Sequence, residues 1–573
     1  MRFRFFVFLV AFVACVPAGA AERPPAAAIA SAQPQATAAG REILAAGGNA
    51  FDAAVAVAAA LAVVEPYSSG LGGGGFFLLH RAADDRDIMI DARERAPLAA
   101  RADMYLDANG DPIRRLSLDG PLAAAIPGAP AGLVYLARHH GKLPLARSLA
   151  AAIRLAREGF AVSPLYRRLA RYRLDALRKW GTGSPFLDGD EIPALGYVIR
   201  QPDLARTLER LAHDGGEDFY RGETARRLAD GVRAAGGIWT AADLAKYRVV
   251  EREPLRGTYR GAKIVTAALP SSGGVVLLQA LGMLERHDLD RLAAPERAHV
   301  VIEAMRRAYR DRAVFMGDPD FVPADTVTKL LDPTHLNKMG GGIDLDHATP
   351  SAALAPSWLS PKSEGTNTTH FSILDAAGNR VAATLSINTL FGAAFIPHGT
   401  GVLLNNEMDD FAVAPGAPNR YGLVGADANA IAPGKRPLSS MTPTFVETKD
   451  TIAILGTPGG SRIISMVLLA TLDAVDGRGR VADWVARPRF HHQFLPDRVQ
   501  YEPLAFSEGV AAALARKGHA LYDVKSGYGN MQAVSWDRSR NRVEAASDPR
   551  GEGEAMVLPV GADRANGKRI GTR

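Results

Sequence analysis

The run "SEGTNTTHFSILDAAGNRVAATLSIN", residues 363–388, marks the sharpest change of texture in the chain. A polar, turn-prone segment ends at Asn367, and alternation of apolar and polar residues begins at Thr368. "HFSILD" and "RVAATLSIN" flank "AAGN", a turn signal between two strand-like runs, so the spacing predicts a hairpin turning near Ala377-Gly378. Folding back there brings Thr368 within a residue or two of Ser386 to Asn388. A serine and an asparagine in an otherwise apolar strand are awkward for packing and sensible for a site.

A threonine hydroxyl is a weak nucleophile until a base takes its proton. An N-terminal threonine carries that base itself, because its α-amine reaches its own hydroxyl and titrates at about 7.7–8.0. The same hydroxyl can first attack the carbonyl of Asn367, giving an ester that water opens. The expectation is therefore a chain cut between Asn367 and Thr368. Taken alone, Thr-Thr is ordinary strand-opening sequence; the serine and asparagine on the partner strand favour a site.

The remaining composition narrows the setting. Of 573 residues, 47% are hydrophobic and 22% charged, which suits a globular chain. "MRFRFFVFLVAFVACVPAGAAE" has two arginines, an apolar core and then small residues, reading as a secretory signal over 1–20 with Ala18-Gly19-Ala20 at the cleavage site. That core is shorter than the roughly 20 apolar residues a spanning helix needs, so no stable membrane span is expected. Cys15, the single cysteine, lies inside it. A lipid anchor on Cys15 is the lesser alternative, since Phe12-Val13-Ala14 is a poor lead-in. A mature chain without cysteine excludes disulfides and thiolate chemistry and fits a periplasmic or secreted protein. The formal charge of +6 is spread among acids, so nucleic acid is not an expected partner.

Along the chain, "FDAAVAVAAALAVVEP" reads as a buried helix between Gly48 and Pro66, and Pro144 to Gly159 as an amphipathic one. Further helices are expected from His299 to near Gly317 and from Arg462 to Val475, with residues 322–367 loop-like. "GLGGGG" at Gly70 to Gly75 satisfies a dinucleotide-type glycine pattern, but a helix precedes it and a strand follows, the reverse of what that motif requires. His491-His492 has no carboxylate at ligand spacing and reads as structural rather than metal-binding.

Nine short motifs, in order, carry a resemblance to the γ-glutamyltransferase (γ-glutamyltranspeptidase) family of N-terminal-nucleophile hydrolases. They are "GGNAFDAAVA" from Gly47, "LGGGGFFL" from Leu71, "DARERAP" from Asp91, "LPSSGG" from Leu269, "TTHFS" from Thr368, "NNEMDDF" from Asn405, "RPLSSMTPT" from Arg436, "GTPGGSRII" from Gly456 and "RPRFHHQ" from Arg487. The resemblance implies an α+β fold, an αββα four-layer sandwich. One precursor would be cut before Thr368 into a large subunit, 21–367, and a small one, 368–573, that stay together as a heterodimer. It implies Thr368 as nucleophile and backbone N–H groups of Gly459 and Gly460 as the oxyanion site. Arg93, Ser439 and Ser440 would hold a substrate carboxylate, and Asn388, Glu407 and Asp410 its ammonium. Ser386 stands where the family commonly has threonine, keeping the orienting hydroxyl. Tyr421 falls where some members have a lid tyrosine.

By themselves Arg93 reads as a surface arginine, Ser439 as a helix cap and "EMDD" as a solvated acidic turn. With the resemblance, the implied activity is transfer of the γ-glutamyl group of glutathione, or a similar compound, to water or to an amino acid or dipeptide amine, without metal or organic cofactor. Two other readings stand beside it. One is a glutaryl (cephalosporin-type) acylase or poly-γ-glutamate-processing relative, disfavoured by Asn388, Glu407 and Asp410; the other is an exported binding protein on an inactive scaffold.

Overall fold

Asp375 closes the hairpin. Its carboxylate accepts from the amides of Ala377 and Asn379, while Gly378 takes φ +95°, a conformation that costs glycine least. Strands Thr369–Leu374 and Arg380–Ser386 then pair antiparallel, with Leu385 opposite Thr369 and Thr384 opposite His370. Continued by one position, this register sets Ser386 against Thr368, as the sequence predicts. The computed structural model describes residues 22–181, 183–355, 368–414 and 416–559. The expected signal, Cys15 and Asn367 lie outside them.

The hairpin sits inside a seven-stranded sheet ordered Glu554–Pro559, Ala26–Ser31, Thr369–Leu374, Arg380–Ser386, Gly74–Arg81, Arg86–Ala92, Val250–Arg252. A six-stranded sheet runs Arg542–Ser547, Gln532–Asp537, Thr451–Gly456, Thr444–Glu447, Ala262–Thr266, Leu255–Tyr259. Ala28, Leu78, Leu374 and Ala382 of the first meet Phe445, Ile454, Val534 and Trp536 of the second in one apolar layer. Helices cover both outer faces. Ala50–Val64, buried at every position, packs on the first sheet with Leu145–Glu158 against it; Gly273–Leu284 and Ile463–Val475 pack on the second, with Ala294–Phe315 against Gly273–Leu284. The architecture is the expected αββα four-layer sandwich.

The glycine run before Gly74–Arg81 has a packing reason. A Cβ on Gly73 would sit 2.0 Å from the carbonyl oxygen of Ser386, so the bare backbone lets the loop press against the end of the hairpin. The helix-then-strand order around it is as read from the sequence, with Ala50–Val64 before and Gly74–Arg81 after. Residues 322–355 are less loop-like than expected, forming short helices at Thr326–Leu330, Pro333–Gly341 and Ser351–Leu354. Local capping explains one of these. The Asp332 side chain accepts from the amides of Thr334 and His335, with Pro333 opening the helix.

Candidate active site

Side chains alternate along a strand, and on Thr369–Leu374 one face belongs to His370 and Ser372, the face toward the second sheet. Ser372 Oγ donates to the carbonyls of Ile454 and Gln532 in that sheet, and His370 Nδ1 lies 2.8 Å from Thr384 Oγ1. Thr368 shares this face at the open end, with Oγ1 3.4 Å from Ser386 Oγ. His370 cannot serve as a base for it: burial holds the imidazole down to about 3, and its ring nitrogens are occupied by Thr384 and Ser372. Thr369 turns the other way, beside Glu65, whose carboxyl burial pushes up to about 8.

Thr368 and Ser386 line a pocket of about 280 Å³ with Arg93, Asn388, Glu407, Asp410, Tyr421, Ser439, Ser440 and Gly460. Ten of the eleven expected site residues in the described chain therefore meet in one place. Gly459 is the exception among the lining side chains; it lies next in sequence, with φ +147°, and a Cβ there would strike Met466. Gly460 takes φ +57°, and a Cβ there would fall 2.4 Å from the Tyr421 ring. Two successive glycines at positive φ form the kind of turn in which adjacent amides can face one anion.

Each side chain is delivered by its element. Arg93 follows the last residue of strand Arg86–Ala92, and Glu407 and Asp410 occupy a 3₁₀ turn, where an i, i+3 spacing puts both on one face. Asp409 faces away, accepting from Ser117 Oγ and the Arg420 amide, and Met408 is in the core. Asn388 sits at φ +72°; its amide group donates to the Asn406 carbonyl, which leaves its side-chain oxygen as the acceptor for the pocket. Tyr421 Oη donates to the Asn388 carbonyl at 2.7 Å, and the residue lines the pocket. Ser439 Oγ accepts from the Met441 amide and Ser440 Oγ from Arg312.

The isolated readings of Arg93 as a surface residue and "EMDD" as a solvated turn do not hold. Arg93 is 1% exposed and Glu407 likewise. Arg93 Nη2 donates to Asp410 at 2.5 Å, while Nη1 lies 2.9 Å from Glu407 and 3.4 Å from Glu94. Burial opposes the charge on Arg93, but Glu407, Glu94 and Asp410 together hold it well above its ordinary value. Burial, reinforced by Glu94 and Asp410, pushes the Glu407 carboxyl well up against the pull of Arg93. Burial likewise raises Glu94 to about 7. Three acids face this one guanidinium, and burial pushes two of them, Glu407 and Glu94, toward the neutral form. Glu94 was not singled out from sequence; it stands beside Arg93 in "DARERAP", and only the burial of the pair shows its part.

The model of the family described as gamma-glutamyltranspeptidase matches residues 36–558. The chain belongs to that family. Within it, the chain is 40% identical over 535 residues to the glutathione hydrolase proenzyme of Escherichia coli, covering 91% of this chain and 90% of that one. Among solved structures, it resembles the cephalosporin acylase of Bacillus halodurans at 28% identity and TM-score 0.81, covering 96% and 99% of the two chains. It also resembles the γ-glutamyltranspeptidase of Helicobacter pylori, at 39% identity and TM-score 0.55, over 57% of this chain and 94% of that one. Among the described residues no group of three or more His, Cys, Asp and Glu is placed to hold a metal ion, and His491 and His492 have other partners. Both are buried, His491 between Ser465 and Gln493, and His492 beside Asp497.

Proposed function

We infer that this enzyme is a γ-glutamyltransferase and glutathione hydrolase in which Thr368, freed by cleavage after Asn367, is the nucleophile. The observation that carries the reading is one pocket holding Thr368 beside a receptor of both signs: Arg93 with two serine hydroxyls, and a surplus of acids with the Asn388 oxygen. A γ-glutamyl donor presents a carboxylate and an ammonium at one end and its amide at the other. On binding, its carboxylate takes the Arg93 guanidinium in place of Asp410 and Glu407, and its ammonium supplies the positive charge these acids then lack.

The Thr368 amine takes the proton from Oγ1 as the oxygen attacks the γ-carbonyl carbon, and Ser386 orients the hydroxyl. The amides of Gly459 and Gly460 receive the oxyanion. Collapse breaks the C–N bond, the leaving amine takes the proton back, and a γ-glutamyl ester remains on Thr368. Water or an acceptor amine then attacks that ester, losing a proton to the Thr368 amine. The two-chain organisation, 21–367 and 368–573, is supported by the match of 94% of one solved family chain to only 57% of this one. Export is supported by the signal-like start, and no helix among the described residues is long and apolar enough to cross a membrane.

The acylase reading has the similarity to the cephalosporin enzyme in its favour. A glutaryl group would engage Arg93 yet leave buried Glu407 and half-buried Asp410 without a cation, an expensive arrangement. Initial rates on γ-glutamyl and glutaryl p-nitroanilides separate the two. The γ-glutamyl compound should have the higher kcat/KM by on the order of 100-fold; a preference for the glutaryl compound means an acylase.

A further inference from the structure

Behind the pocket lies a second buried guanidinium. Arg312, on helix Ala294–Phe315, is 5% exposed and does not line the pocket. The buried guanidinium nearby, Arg93, is paired with a carboxylate, at 2.5 Å from Asp410. Arg312 has no carboxylate within 4.0 Å among the described residues; Nε donates to Ser272 Oγ at 2.9 Å and Nη2 to Ser440 Oγ at 3.2 Å. Burial lowers it to about 10, so it remains a cation near neutral pH. Its hydrogen bonds go only to hydroxyls, and the nearby acid acting on it, Asp410, is engaged by Arg93, so an anion arriving at those hydroxyls would be favoured.

The hydroxyls show where that anion goes. Ser440 Oγ already accepts from Arg312, so its own proton is free to donate into the pocket. Ser439 Oγ accepts from the Met441 amide and is poised the same way. Ser272, held by Arg312, donates through Oγ to the Ser439 carbonyl at 2.6 Å, and its amide donates to the same oxygen at 2.8 Å. Ser271 Oγ donates to the Met441 carbonyl at 2.5 Å. The "LPSSGG" motif thus clamps the backbone of "LSSM" from one side while Arg312 polarises it from behind.

We propose that Arg312 is a positioning residue for the donor's α-carboxylate, acting through Ser440 and Ser272 to aim the Ser439 and Ser440 hydroxyls at it. The proposal rests on the γ-glutamyl reading of the pocket, and two donors separate the two claims: γ-glutamyl p-nitroanilide, and 4-aminobutyryl p-nitroanilide, which keeps the ammonium and lacks the α-carboxylate. Wild type should favour the first. R312Q should shrink that preference by on the order of 30-fold, through KM for the γ-glutamyl compound, with little change for the other. R312K, keeping charge without the planar fork, should restore part of it. S272A, which frees Arg312 Nε, should shift the preference in the same direction by a smaller factor, and it carries the test if R312Q does not accumulate as two chains.

Equal losses on both donors in cleaved R312Q, or an unchanged preference in R312Q or S272A, would overturn the role of Arg312. A wild type indifferent to the α-carboxylate would overturn the pocket reading itself.

Discussion

At the scale of single residues, the site works by sorting near-identical neighbours. Thr368 and Thr369 differ by one position, and strand alternation sends one to the pocket and the other to the helical layer beside Glu65. Glu407 and Asp410 reach the pocket, while Asp409 is spent on Ser117. His370, next but one to Thr368, stays neutral between Thr384 and Ser372 because burial lowers it to about 3. An unfolded histidine titrates near 6.5, so as pH falls below that value the unfolded chain takes up a proton that folded His370 refuses. This stabilises the native state above pH 6.5, and the contribution is lost progressively towards pH 3. H370Q removes the term. Between pH 7 and pH 5, urea unfolding should show the wild type losing about 2 kcal/mol more than H370Q; parallel losses would mean His370 is protonated in the fold.

At the scale of elements, the hairpin was legible because its turn chemistry and its alternation agree, and the two helices flanked by Pro or Gly were legible for the same reason. What could not be read was the company each motif keeps. Nothing in "EMDD" says that its 3₁₀ turn docks on a buried arginine over 300 residues earlier, nor that Arg312 on a long helix reaches Ser440; such contacts depend on how the layers stack. The short helices in 322–355 were missed because prolines and glycines there cap helices rather than forbid them.

The Gly459-Gly460 turn, proposed to receive the oxyanion, is the element whose geometry constrains most tightly. Gly460 combines φ +57° with a Tyr421 ring 2.4 Å from where a Cβ would be. G460A should therefore disturb both the amide and the Tyr421 ring, lowering kcat of the cleaved enzyme by on the order of 100-fold or more. Initial rates on γ-glutamyl p-nitroanilide check this; kcat within a few-fold of wild type would remove Gly460 from the oxyanion site.

At the scale of the molecule, the two segments on either side of Asn367 are interleaved. In the first sheet, Thr369–Leu374 and Arg380–Ser386 lie between Ala26–Ser31 and Gly74–Arg81; in the second, Thr444–Glu447 pairs with Ala262–Thr266. The pocket repeats the pattern, with Arg93 from one segment and Thr368, Asp410 and Ser440 from the other. If the chain is cut after Asn367, as proposed, the two halves stay held by both sheets. Interleaving of this kind fits the proposed catalyst, whose amine would stay in a peptide bond until the sheets have formed. N-terminal sequencing of the smaller chain from purified wild-type protein, with T368A beside it on a denaturing gel, tests this directly. The account predicts a small chain beginning Thr-Thr-His-Phe-Ser and a T368A protein that stays full length and inactive; a different first residue, or a T368A chain cut as usual, would contradict it.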